Sequence, residues 1–82
     1  MQSKIKLPQD LYKILNDINS PELKSSFSLD GKDSVILIDI EKFLIELDTY
    51  ILKYGLEGDD YKITDYGIKL YKLYDYIYYG VQ

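Results

Sequence analysis

Phe27-Ser28-Leu29-Asp30-Gly31-Lys32-Asp33-Ser34-Val35-Ile36-Leu37-Ile38-Asp39-Ile40 is the stretch in which the fold of this chain is decided, because its hydrophobic period changes there. Two short runs, 27–29 and 34–38, flank Asp30-Gly31-Lys32-Asp33, and an Asp-Gly pair readily supplies the positive φ angles of a tight turn. The pattern predicts a β-hairpin. Its second arm is apolar on both faces and is expected to be buried, with Lys4-Ile5-Lys6-Leu7 beside it as a third strand. From Asp39 the repeat lengthens to 3.6 residues: Ile40, Phe43, Leu44, Leu47, Ile51 and Tyr54 share one face of a helix, with Asp39 as its N-cap and Gly55 as its C′ residue. Ile45, Leu52 and Leu56 fall off that stripe. The helix is therefore expected to be central, or to touch another chain through these three, the candidate dimerisation residues.

Upstream, Leu11, Ile14, Leu15 and Ile18 keep the i, i+3, i+4, i+7 spacing of a helix that Pro8 opens and Asn19-Ser20-Pro21 closes, after which Ser20-Pro21-Glu22 can start a short turn through Lys24. Downstream, Glu57-Gly58-Asp59-Asp60 is a polar turn, and Tyr61-Lys62-Ile63 alternates like a short strand. Thr64 caps a last helix, 65–79, with Asp65 near the positive end of its dipole. Its expected inner face is Tyr66, Gly67, Leu70, Tyr71, Leu73, Tyr74, Ile77 and Tyr78; its outer face is Ile68, Lys69, Lys72, Asp75, Tyr76 and Tyr79. The expected fold is a single α+β domain over residues 1–82, three helices with a β-hairpin.

At 82 residues such a chain buries only about 60% of its unfolded surface, so one small core must hold it together. It contains no cysteine, histidine, tryptophan or arginine, which excludes disulfides, thiolate chemistry, zinc fingers and His-based catalysis. No cofactor is expected. Ten lysines stand against fourteen acids, a net charge of -4. No apolar run approaches the roughly 18–20 residues of a membrane span, and Met1–Lys6 carries no signal-peptide core, so a cytoplasmic address is expected. Lysine without arginine, with abundant Ile, Asp and Tyr, fits an AT-rich genome and points to a phage or other mobile element. The unusual count is ten tyrosines beside two phenylalanines, five of them in the last twelve residues.

Tyr61-Lys62-Ile63-Thr64-Asp65-Tyr66-Gly67-Ile68-Lys69-Leu70-Tyr71 resembles the end of the wing and the start of the following helix in winged-helix transcription regulators, and Ile51–Leu56 is similar to a recognition helix running into that wing. The resemblance covers about residues 40–79 and implies a DNA-binding homodimer. The sequence departs from the pattern where it matters for DNA. A hairpin precedes the long helix, that helix offers Glu41, Lys42, Glu46, Asp48 and Lys53, and an acidic turn at Glu57-Gly58-Asp59-Asp60 would repel a phosphate backbone. No DNA-contacting residue is carried over.

Carboxylates are the only catalytic raw material; Asp59 with Asp60, or Asp30 with Asp33, could in principle form an acid/base pair, but both pairs sit in predicted turns, where aspartate is favoured for local reasons. An EF-hand loop begun at Asp30 fails, with Lys32 and Ser34 at ligand positions and Val35 in place of the glycine. No Gly-rich phosphate loop is present. Lys4, Lys6 and Lys13, or Lys62, Lys69 and Lys72, make only modest basic patches, and the absence of arginine removes the commonest base-specific contact, so nucleic acid is the lesser expectation. Exposed tyrosines rimmed by charge are instead the composition of a protein interface. The reading is of a non-enzymatic protein-binding module that modulates a host nucleic-acid-handling protein. Its contact residues would be Ile68, Tyr76 and Tyr79 with the acids Glu57, Asp59, Asp60 and Asp65.

Overall fold

Ser3–Lys6 form the first strand, β1, of an antiparallel sheet in the computed structural model, which describes residues 3–58 and 60–80. The hairpin strands are β2, Phe27–Asp30, and β3, Ser34–Leu37, and the order β1-β3-β2 makes β3 the central strand. Registers Ile5↔Val35 and Leu29↔Val35 line the core face, where Val35 and Leu37 are fully buried. The expected third strand and the buried second arm are both present. The arm ends one residue early, because the Ile38 and Asp39 amides turn to donate to the carbonyl of buried Ser26, leaving the Ile38 side chain exposed. Gly31 holds φ +68° in the turn, a conformation that glycine adopts without steric cost. On the outer face Lys4 bonds Asp30 at 2.7 Å and Lys6 lies 3.6 Å from Asp33. The Asp30 carboxylate raises the Lys4 pKa above its ordinary value, first through that bond and then through its charge.

Four helices occur among the described residues, one more than expected: α1, Gln9–Asp17; α2, Pro21–Lys24; α3, Ile40–Tyr54; and α4, Asp65–Gly80. The extra one, α2, is the single turn after Ser20, whose hydroxyl accepts the Leu23 amide while Pro21 fills the first helical position. Helix α1 buries Leu11, Ile14 and Leu15 and pins the hairpin turn through the Tyr12 hydroxyl, which donates to the Gly31 carbonyl at 2.8 Å. Asp39 caps α3 by accepting the Lys42 amide at 3.0 Å. The buried stripe of α3 is Phe43, Leu47, Tyr50 and Ile51; Tyr54, expected in it, is half exposed and packs its ring on Tyr50 at 4.6 Å.

A two-stranded ribbon, β4 at Leu56–Glu57 and β5 at Lys62–Ile63, joins α3 to α4. Gly55 ends α3 with φ −95°, a right-handed value, so it is not the left-handed C′ residue that its position suggested. Its lack of a side chain serves a close approach instead, since the Gly55 backbone lies against that of Gly67 on α4. Thr64 locks this junction: its amide and hydroxyl both donate to the Gly55 carbonyl, while its hydroxyl accepts the Gly67 amide at 2.9 Å. Leu70, Leu73 and Ile77 of α4 then close the core over α1 and α3. No helix among the described residues is long and apolar enough to cross a membrane.

Candidate functional site

Helix α4 has two apolar stripes and the fold uses one. Gly67, Leu70, Leu73 and Ile77 point inward, with Tyr66 and Tyr74 half-buried beside them. Ile68, Tyr71, Tyr78 and Tyr79 fall at i, i+3, i+10 and i+11 of a single helical face, with the charged Asp75 between them at i+7, and all five are exposed. Tyr71 and Tyr78 thus leave the inner face on which the sequence reading placed them. The inner arc is narrower than expected because a 16-residue helix packed on α1 and α3 needs only about three inward residues per two turns, roughly six in all, and Gly67, Leu70, Leu73 and Ile77 with half-buried Tyr66 and Tyr74 fill it.

The exposed tyrosines organise one another. Tyr74 and Tyr78 stack with ring centroids 6.2 Å apart, and Tyr79 meets Tyr78 edge-on at 5.3 Å. Before α4, on the ribbon, the half-exposed Ile63 side chain lies against Gly67. There Tyr61, held at φ +54°, projects into solvent with 74% of its surface exposed. A left-handed backbone is costly for a side-chain-bearing residue, so the ribbon holds Tyr61 outward against an intrinsic preference.

Of the expected contact residues, Ile68 and Tyr79 lie on this face, Tyr79 being 72% exposed. Tyr76 is partly engaged within the chain: its hydroxyl donates to the Lys6 carbonyl at 2.9 Å, tying α4 to β1. Tyr76 is exposed, as expected of the outer face, but its hydroxyl is engaged within the chain. Glu57, Asp60 and Asp65 are exposed at the ribbon and the start of α4, and Asp59 lies outside the described residues. Eleven residues of helix, about 16 Å, separate Asp65 from Tyr76, so the acids and the terminal tyrosines occupy opposite ends of α4 and form two patches. Ile45 and Leu52 are exposed on α3 at 58% and 57%, whereas Leu56 is half-buried in the ribbon opposite Ile63.

Tyr50 and Tyr66 meet through their hydroxyls at 3.3 Å. Burial first, and this bond second, raise the Tyr66 phenol far above its ordinary pKa. Among the described residues no group of acids is placed to hold a metal ion. The sequence reading missed Tyr61 and Ile63 as surface elements; the positive φ of Tyr61 has no signature in residue order. Comparison with family models, curated proteins and solved structures finds no match for this chain.

Proposed function

We propose that this chain is a non-enzymatic protein-binding module that recognises its partner through the outer face of α4. The observation that carries the reading is the second stripe of Ile68, Tyr71, Tyr78 and Tyr79, interleaved with Lys69, Lys72 and Asp75, with exposed Ile63 and Tyr61 on the ribbon that leads into the helix. Tyrosine is enriched among the residues that dominate binding energy, and an aromatic patch rimmed by charge suits a protein better than a small molecule. The partner class is a nucleic-acid-handling protein of a cell invaded by a phage or mobile element. In that arrangement Glu57, Asp60 and Asp65 stand in for phosphates on a basic surface while the tyrosines anchor at the far end of the helix. The test is affinity capture with the wild-type chain and with Ile68→Asp plus Tyr71→Ala. The same protein is recovered by the wild type, lost by the double variant and retained by Ile45→Asp; recovery unaffected by the double variant would overturn the reading.

The position of the β4–β5 ribbon between α3 and α4, where a wing would lie, supports a second reading as a winged-helix-type DNA-binding homodimer paired through Ile45 and Leu52. Against it stand a wing of two residues per strand and acids at the turn. A phosphate-contacting protein loses affinity steeply as salt rises, so DNA titrations at low and moderate salt separate the readings.

A further inference from the structure

The outer edge of β1 borders a groove. Leu7 donates its amide to the carbonyl of Asp33, the residue opposite it in the continued register. Because bonding alternates along an antiparallel pair, Ser3 and Ile5 face β3, and the N–H and C=O groups of Lys4 and Lys6 point away from the sheet. Among the described residues one of these four groups is engaged, the Lys6 carbonyl, which accepts the Tyr76 hydroxyl. The edge looks into a cavity of about 830 Å³ between β1 and the last turns of α4, with Ile5, Tyr76 and Tyr79 as its apolar lining. Gly80 borders the groove beside Ile5: a β-carbon there would stand 3.8 Å from the Ile5 Cδ1. Among the described residues Lys4, Lys6 and Lys72 line this space with the carboxylate of Asp75. Lys4 and Lys6 are paired on the outer sheet face with Asp30 and Asp33, so these lysines can meet incoming acids only by exchanging those exposed ion pairs.

We propose that this groove is a strand-addition site for an extended, acidic segment of a partner protein. The incoming strand exchanges backbone hydrogen bonds with Lys4, sets alternate apolar side chains on Ile5 and the two tyrosine rings, and places the intervening acids against Lys4 and Lys6 on the other face. The ion pairs that now hold those lysines are solvent-exposed and contribute little, so they redirect readily. Lysines on an edge strand repel indiscriminate pairing. They also oppose a second copy of β1, since antiparallel self-pairing about Ile5 would set Lys4 against Lys6. The site shares Tyr79, Lys72 and Asp75 with the outer face of α4, but its edge strand, Lys4 to Lys6, lies outside that face, as do Ile68 and Tyr71 outside the groove.

The experiment titrates the isotopically labelled full chain with an acetylated, amidated hexapeptide of alternating glutamate and valine, followed by amide NMR. Expected are saturable shifts confined to 3–6 and 72–80, and none with the lysine–valine counterpart. Lys4→Pro removes an outward N–H without touching the β3 ladder, a place where an edge strand accepts proline. It weakens binding by about tenfold or more, whereas Lys4→Gln, which keeps the amide, weakens it only about twofold. Tyr79→Ala provides an independent loss of several-fold should Lys4→Pro fail to fold. Equal losses for Lys4→Pro and Lys4→Gln, equal binding of both peptides, or a wild-type dimer in sedimentation that Lys4→Pro dissolves would each overturn the proposal. Ile68→Asp leaves the titration unchanged, so the outcome is independent of the helix-face reading.

Discussion

The backbones of Gly55 and Gly67 lie in contact across the junction of α3 and α4: a β-carbon on Gly55 would stand 2.9 Å from the Cα of Gly67, and one on Gly67 would run into the Gly55 carbonyl. Twelve positions apart in sequence, these two residues fix where α4 starts against α3, and everything presented on the outer face of α4 depends on that placement. Because the obstacle is backbone on both sides, no side-chain movement relieves it. Gly67→Ala is expected to cost about 3 kcal/mol, the upper range for overpacking, and to lower the melting temperature in a calorimetric scan. Gly31→Ala supplies the contrast. Its β-carbon meets nothing within 4 Å, so only the left-handed φ counts, at about 1 kcal/mol.

Thr64 provides the second constraint on the same junction. It caps α4 through its hydroxyl and fastens α4 to Gly55 through its amide and hydroxyl together. Thr64→Ala is expected to lose about 1–2 kcal/mol in urea unfolding with an unchanged m-value, and Thr64→Ser to retain most of the wild-type stability. Equal losses for alanine and serine would mean that the methyl group, not the hydroxyl, holds the junction.

The Tyr66 phenol leads to a prediction in alkaline solution. Its folded pKa is raised above the ordinary value of 10.0 by burial and by the Tyr50 hydroxyl. Below about pH 10 both folded and unfolded chains keep this proton, and the stabilisation is fully present. Above it the unfolded chain releases the proton first, so stability falls as pH rises until the folded group also ionises. Tyrosinate absorbance should show a late-titrating phenol in the wild type that Tyr66→Phe removes. The fall in unfolding free energy above pH 10 should be shallower in that variant.

The hairpin was legible because Asp30-Gly31 is a local signal, and α3 because its 3.6-residue repeat runs through fifteen residues. The face of α4 was not legible in the same way. With Tyr at 66, 71, 74, 76, 78 and 79, hydrophobicity alone does not separate inside from outside; the packing angle against α1 and α3 makes that choice. The role of Gly55 was hidden for a related reason, since a glycine after a helix reads as a left-handed cap, and its partner Gly67 is a tertiary neighbour. Ser26 was unreadable too: a serine buried completely, its hydroxyl on the Leu23 carbonyl and its own carbonyl taking two amides, is visible only in three dimensions.

Ile45 and Leu52 separate a dimer interface from a solvated face. Both project from α3 seven residues apart with more than half their surface exposed, and Thr49 between them turns its hydroxyl back to the Ile45 carbonyl. In a monomer, Ile45→Glu with Leu52→Glu exchanges exposed apolar surface for charge, and the change in unfolding free energy should stay within about 0.5 kcal/mol per site. In a homodimer closed by this stripe the same pair of substitutions places carboxylates in apolar contact. Sedimentation at micromolar concentration should then show a wild-type dimer that the double variant converts to monomer. Stability should depend on chain concentration in the wild type alone, because association stabilises the folded form by mass action. A wild-type chain that sediments as a monomer across that range would remove Ile45 and Leu52 from any dimer interface.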